Sequence, residues 1–135
     1  MSRYKRYGRL AVVAGLTSMV LSSAHAEERQ HLTIIDKNGF DDPQNTGIGA
    51  MLAHEKYLYV GTWNVPNGCK LYRTADGTQF TLINAGGFGN VNNFDLISLE
   101  WFNGKLYAGT WNMRDALAMY RANADAEDPA DIAWE

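Results

Sequence analysis

Two pairs of residues in this sequence combine types suited to ligand chemistry: Trp63-Asn64 and Trp111-Asn112. An indole face stacks on the apolar face of a sugar ring, and the carboxamide beside it can both donate and accept hydrogen bonds. Each pair closes a Gly-Thr-Trp-Asn run, Gly61–Asn64 and Gly109–Asn112. Loops at one end of a rigid β-scaffold commonly carry ligand contacts. The competing reading makes these same residues repeated core aromatics and turn-forming asparagines.

Other constellations are weaker. Asp36-Lys37-Asn38-Gly39-Phe40-Asp41-Asp42 alternates oxygen donors around a glycine as a calcium loop does, but lacks the bidentate downstream glutamate. His31 and His54 have no His or Cys at ligand spacing, so no metal site is expected. Gly86-Gly87-Phe88-Gly89-Asn90 lacks the Lys-Ser/Thr that makes a phosphate loop specific. Cys69 is the single cysteine, so it is either buried or paired between chains; opening an apolar strand, it is expected to be buried. No set of residues amounts to a catalytic site, and no cofactor is implied.

These residues recur with a period. Leu58-Tyr59-Val60-Gly61-Thr62-Trp63-Asn64 returns 48 positions later as Leu106-Tyr107-Ala108-Gly109-Thr110-Trp111-Asn112. At the same displacement Tyr72-Arg73 falls on Tyr120-Arg121, Gly39-Phe40 on Gly87-Phe88 and Asn45 on Asn93. Such self-similarity is the signature of a repeat architecture. The apolar pattern is that of short strands: Ile48–His54, Tyr57–Trp63, Cys69–Thr74 and Phe80–Ile83, then Leu96–Phe102, Lys105–Trp111, Leu117–Arg121 and Ile132–Trp134. Leu32–Ile35 would be the outer strand of a preceding unit. Asn103-Gly104 is a strong hairpin signal. Four antiparallel strands per 48-residue period predict an all-β fold of β-propeller blades, at about 48–83 and 96–135. An open β-sandwich or a solenoid could use the same hairpins. Two blades cannot close a ring, so the chain is expected to be a fragment of a larger protein or to associate with copies of itself.

The stretch Leu71-Tyr72-Arg73-Thr74-Ala75-Asp76-Gly77-Thr78-Gln79-Phe80 resembles an Asp-box, the turn between third and fourth strands of sialidase-like (BNR-repeat) propellers. Thr74, Asp76, Gly77 and Phe80 match the motif, in a turn one residue shorter than the standard form. The second repeat departs further, with no Asp-Gly after Arg121. The resemblance implies a propeller fold and leaves activity open, because the motif is a structural turn. In sialidase-like hydrolases an arginine cluster holds a substrate carboxylate beside a Tyr–Glu pair and an acidic Asp. The matching candidates would be Arg73, Arg114 and Arg121 with Tyr59 or Tyr107 and Asp95 or Glu100. Several of these repeat with the period, as scaffold residues do. A sialidase-like glycoside hydrolase fragment is therefore the alternative to a binding or scaffold module for glycan or protein.

The first 26 residues read as a cleavable signal peptide. Arg3, Lys5, Arg6 and Arg9 precede an apolar stretch from Leu10 to Leu21, and Ala24-His25-Ala26 supplies the cleavage site. That stretch is too short to span a bilayer. Cleavage after Ala26 predicts a secreted or periplasmic bacterial protein. It also moves the net charge from −3 to −7, because the leader holds four of the twelve basic residues and none of the fifteen acidic ones. So acidic a surface disfavours nucleic acid and anionic membrane as partners.

Overall fold

The computed structural model describes residues 33–135, so the signal-peptide reading and His31 lie outside the described residues. Those residues form one strongly curled antiparallel sheet of seven strands and no α-helix. The strands are β1 Gly47–His54, β2 Tyr57–Trp63, β3 Leu71–Thr74, β4 Thr81–Asn84, β5 Asn93–Phe102, β6 Lys105–Asn112 and β7 Met119–Ala122. No helix among the described residues is long and apolar enough to cross a membrane.

The connections explain the pairing. Glu55 and Asn103 take left-handed backbone angles at the tips of the β1–β2 and β5–β6 hairpins, which two-residue turns of this kind require. Each turn sets its register, His54 against Tyr57 and Phe102 against Lys105. Strands β1 to β4 then follow as a meander, β2 against β3 and β3 against β4. Strands β5 to β7 repeat that order. The two halves are stitched at a single ladder position, Trp63 opposite Asp95.

Close approach of β1 to β5 depends on Gly49, which lies in a bulge of β1. A Cβ there would collide with the Asp95 carboxylate and the Leu96 carbonyl. The core fills the space between the halves: Tyr59, Cys69, Leu71 and Ile83 meet Leu96, Leu106, Ala108, Ala122, Ala124 and Ile132. Alternation along the strands delivers these residues to one face, as the two-residue period of a strand dictates.

Two expected outer strands differ from this arrangement. Thr33–Ile35, the described part of Leu32–Ile35, lies in no strand and is exposed, since no described strand runs beside it. Ile132–Trp134 contributes only a bridge, Trp134 to Ala122, flanked by reciprocal backbone bonds between Arg121 and Glu135. Pro129 opens a 3-10 turn just before it, capped by the Asp128 side chain, and leaves too little extended chain for a full strand.

Candidate functional site

The ladder brings Trp63, Asp95 and Trp111 into one row: Trp63 pairs with Asp95, and Asp95 with Trp111. Register partners project to the same side of a sheet. Both tryptophans are half-exposed. They flank the buried ring of Phe94, whose centroid is 6.3 Å from Trp63 and 5.6 Å from Trp111. Phe94 reaches this position because β5 bulges between Asn93 and Asp95. Asp95 is half-buried, and its Oδ1 has no hydrogen-bond partner. Burial accordingly raises its pKa above the ordinary carboxylate value. The row therefore presents two indole faces, while the unpaired Asp95 Oδ1 is itself buried beside Gly49.

Asn64 and Asn112 have a different place. Both are buried within a polar network that recurs in the two halves. Asn64 Nδ2 donates to Asn45 Oδ1 at 2.8 Å, and Asn112 Nδ2 to Asn93 Oδ1 at 2.9 Å. Asn45 and Asn93 in turn each donate to the carbonyl of Gly39 or Gly87, at 2.8 Å in both cases. They also donate to the hydroxyls of Tyr72 and Tyr120. The Oδ1 atoms of Asn64 and Asn112 accept backbone N–H groups of the following loop, from Asn67 and from Arg114 and Asp115. These carboxamides hold the loops after β2 and β6, and the bonds to Asn45 and Asn93 and to the loop N–H groups engage both ends of each amide. Gly87 and Phe88 reach the network through left-handed backbone angles, as Gly39 and Phe40 do in the first half. The sequence shows the matched asparagines, but not that they bond to one another.

The Thr74–Phe80 turn is closed locally. Asp76 Oδ1 accepts the N–H groups of Thr78 and Gln79, both at 2.8 Å, while Thr74 Oγ1 accepts that of Gly77 at 2.9 Å. Those N–H groups hold the Asp76 carboxyl well below the usual range. Gly77 adopts φ +74°, and Phe80 packs on Phe40 with ring centroids 4.7 Å apart.

The residues that the hydrolase resemblance would recruit are dispersed among other tasks. Arg73 is buried, stacks over Tyr57 and donates to the carbonyls of Ala124, Ala126 and Glu127. Arg121 pairs with Glu135 at 2.8 Å, and Arg114 is exposed on its loop. Tyr59 donates to the Ala124 carbonyl, and burial pushes its pKa up to about 12. Tyr107 is half-buried and Glu100 is exposed. Asp95 alone of this set joins the tryptophan row.

In the Asp36–Asp42 loop, Asp36 accepts backbone N–H groups and Asp42 pairs with Lys70 at 2.6 Å. That lysine holds the Asp42 carboxyl below its ordinary pKa. No group of three or more His, Cys, Asp or Glu placed to hold a metal occurs among the described residues. No family model, no curated protein and no solved structure matches this chain.

Proposed function

We propose that this chain is an exported binding or scaffold module built from β-propeller-type repeats, and that it recognises glycan through the Trp63–Asp95–Trp111 row. One observation carries the ligand reading: two half-exposed indoles stand on either side of Phe94, in the same row as the half-buried Asp95. Sugar rings offer the matching pair of features, an apolar face for stacking and hydroxyls that donate to a carboxylate. The propeller reading is supported by the matching of elements across the 48-residue displacement. Strand β6 starts at Lys105 where β2 starts at Tyr57, and β7 at Met119 where β3 starts at Leu71. The Asp-box reading draws support from the closed Thr74–Asp76–Gly77 turn.

Titration of the chain with neutral and acidic oligosaccharides, followed by intrinsic tryptophan fluorescence, tests the ligand reading. Saturable quenching is expected, lost in Trp63→Ala and Trp111→Ala and weakened in Asp95→Asn. Absence of a saturable response to any oligosaccharide, or an unchanged response in both tryptophan variants, would overturn it.

A further inference from the structure

Arg73 and Arg121 stand 48 positions apart and use their guanidinium groups differently. Arg121 gives Nε and Nη2 to one carboxylate oxygen, Glu135 Oε2, at 3.1 and 2.8 Å. Arg73 is buried, and its bonds run to backbone carbonyls: Nη1 donates to those of Ala124 and Ala126, and Nη2 to that of Glu127. A guanidinium carries five N–H groups, so Nε–H and the second Nη2–H are left over. Among the described residues nothing accepts from Nε. Yet Nε is not one of the buried atoms without a partner, which are Asn84 Oδ1, Asp95 Oδ1 and Trp134 Nε1. It is therefore open to solvent. The position matching Glu135 in the first half is Gly87, which has no carboxylate to offer.

Arg73 lines a cleft of about 310 Å³, between the Thr74–Phe80 turn and the chain around Glu127 and Pro129. The cleft lies beside Tyr57, at the start of β2, whereas Trp63 closes that strand at its other end. Two carboxylates share the lining, Asp76 and Glu127. Asp76 spends Oδ1 on the turn, and Glu127 pairs Oε1 with Lys56. Their second oxygens, Asp76 Oδ2 and Glu127 Oε2, accept no hydrogen bond from the described residues. The cleft thus joins unclaimed cationic donors to unclaimed anionic acceptors. A plain carboxylate would meet the guanidinium but be repelled by both acids, and a plain cation would meet the reverse. A small molecule that carries both charges satisfies both sides.

We infer that this cleft binds a free α-amino acid, its carboxylate on Arg73 Nε and Nη2 and its ammonium on Asp76 Oδ2 and Glu127 Oε2. The carboxylate takes the two donors that Arg121 gives to Glu135 in the second half. The inference goes beyond the glycan reading and does not depend on it, because no residue of the tryptophan row lines this cleft.

Isothermal titration calorimetry on the full chain with glycine, L-alanine, L-glutamate and L-lysine tests this. Saturable binding of at least one is expected. Its deaminated analogue and its amide should each bind at least about tenfold more weakly, since each lacks one of the two charged groups. For L-alanine these are propionate and alaninamide. Arg73→Lys keeps a cation without the planar fork, and Asp76→Asn combined with Glu127→Gln removes both acids while keeping an acceptor oxygen for the turn. Each is expected to weaken binding by about tenfold or more, with circular dichroism confirming the fold. Should Arg73→Lys fail to fold, the analogues decide without any substitution. No saturable heat from any of the amino acids, an analogue that binds as tightly as its parent, or a folded variant that binds as the wild type does would each overturn the proposal.

Discussion

At the level of single residues, Asp95 and Asn93 stand in contrast. The Asp95 carboxylate has an oxygen buried without a hydrogen bond, and burial alone raises its pKa. A carboxyl whose folded pKa exceeds its unfolded value of about 3.9 destabilises the fold once it ionises. The penalty is absent in acid, where both states are protonated. It grows as pH rises from the unfolded value through the folded one. Asp95→Asn is therefore expected to melt higher than the wild type at neutral pH, with the difference vanishing near pH ~3. Thermal melts of both proteins across that range check this. Asn93 is the opposite case, a fully buried side chain with every polar group engaged. Asn93→Ala leaves the Gly87 carbonyl with the Asn90 N–H alone, strands the Tyr120 hydroxyl and an Asn112 N–H, and is expected to cost roughly 2–6 kcal/mol at about 1–3 kcal/mol for each of the two stranded groups. Urea denaturation measures it. A loss under 1 kcal/mol would mean that water replaces the amide.

Elements are governed by what their turns and bulges allow. Gly49→Ala sets a methyl group against the Leu96 backbone, which has no rotamer to escape into, and against Asp95. A loss of about 1–3 kcal/mol is expected, with β1 drawn away from β5; urea denaturation and amide exchange along β1 report both. At the Thr74–Phe80 turn, Asp76 gains its low pKa from the Gln79 and Thr78 N–H groups. A depressed folded pKa contributes stability above the unfolded value of about 3.9, and that stability is lost as pH falls toward the folded one. Asp76→Ala is thus expected to melt lower than the wild type at neutral pH, by a margin that narrows in acid. Scanning calorimetry at several pH values follows the margin.

The strands were legible in the sequence because their signals are local. Alternation and the Asn103-Gly104 turn place Tyr57–Trp63 and Lys105–Trp111 within a residue of β2 and β6. What was not legible depends on pairing between strands distant in sequence. The row of Trp63, Asp95 and Trp111 follows from a bulge at Phe94 that no periodicity announces. The burial of Asn64 follows from Asn45, nineteen residues away along the chain. Ile132–Trp134 has strand composition but is preceded by Pro129, whose turn leaves room for one bridge.

For the molecule as a whole, the core decides whether the halves fold together. Residues from both sides of the Trp63–Asp95 stitch form one cluster, in which Cys69 of the first half is fully buried. Burial pushes the Cys69 thiol up to about 12, and the nearby Asp95 charge adds to the shift. Its thiolate, the reactive form, is therefore nearly absent in the folded chain at pH ~8, whereas an exposed thiol with pKa about 8.5 is substantially ionised. Cys69 should thus resist a thiol-exchange reagent until the core opens. Its labelling rate becomes a measure of that opening when reclosing outpaces reaction. Leu106 lies in β6, on the far side of the stitch, and is fully buried in the same cluster. Leu106→Ala should destabilise the fold by about 2–5 kcal/mol. Since every ~1.4 kcal/mol is a factor of ten in an equilibrium, labelling of Cys69 should quicken by at least about tenfold if the halves open as one unit. Labelling that stays at the wild-type rate while the circular dichroism of the variant melts earlier would show that the first half holds its core closed without the second. The single ladder contact at Trp63 would then be a hinge between two independently stable sheets, and the shared apolar cluster would contribute little to either.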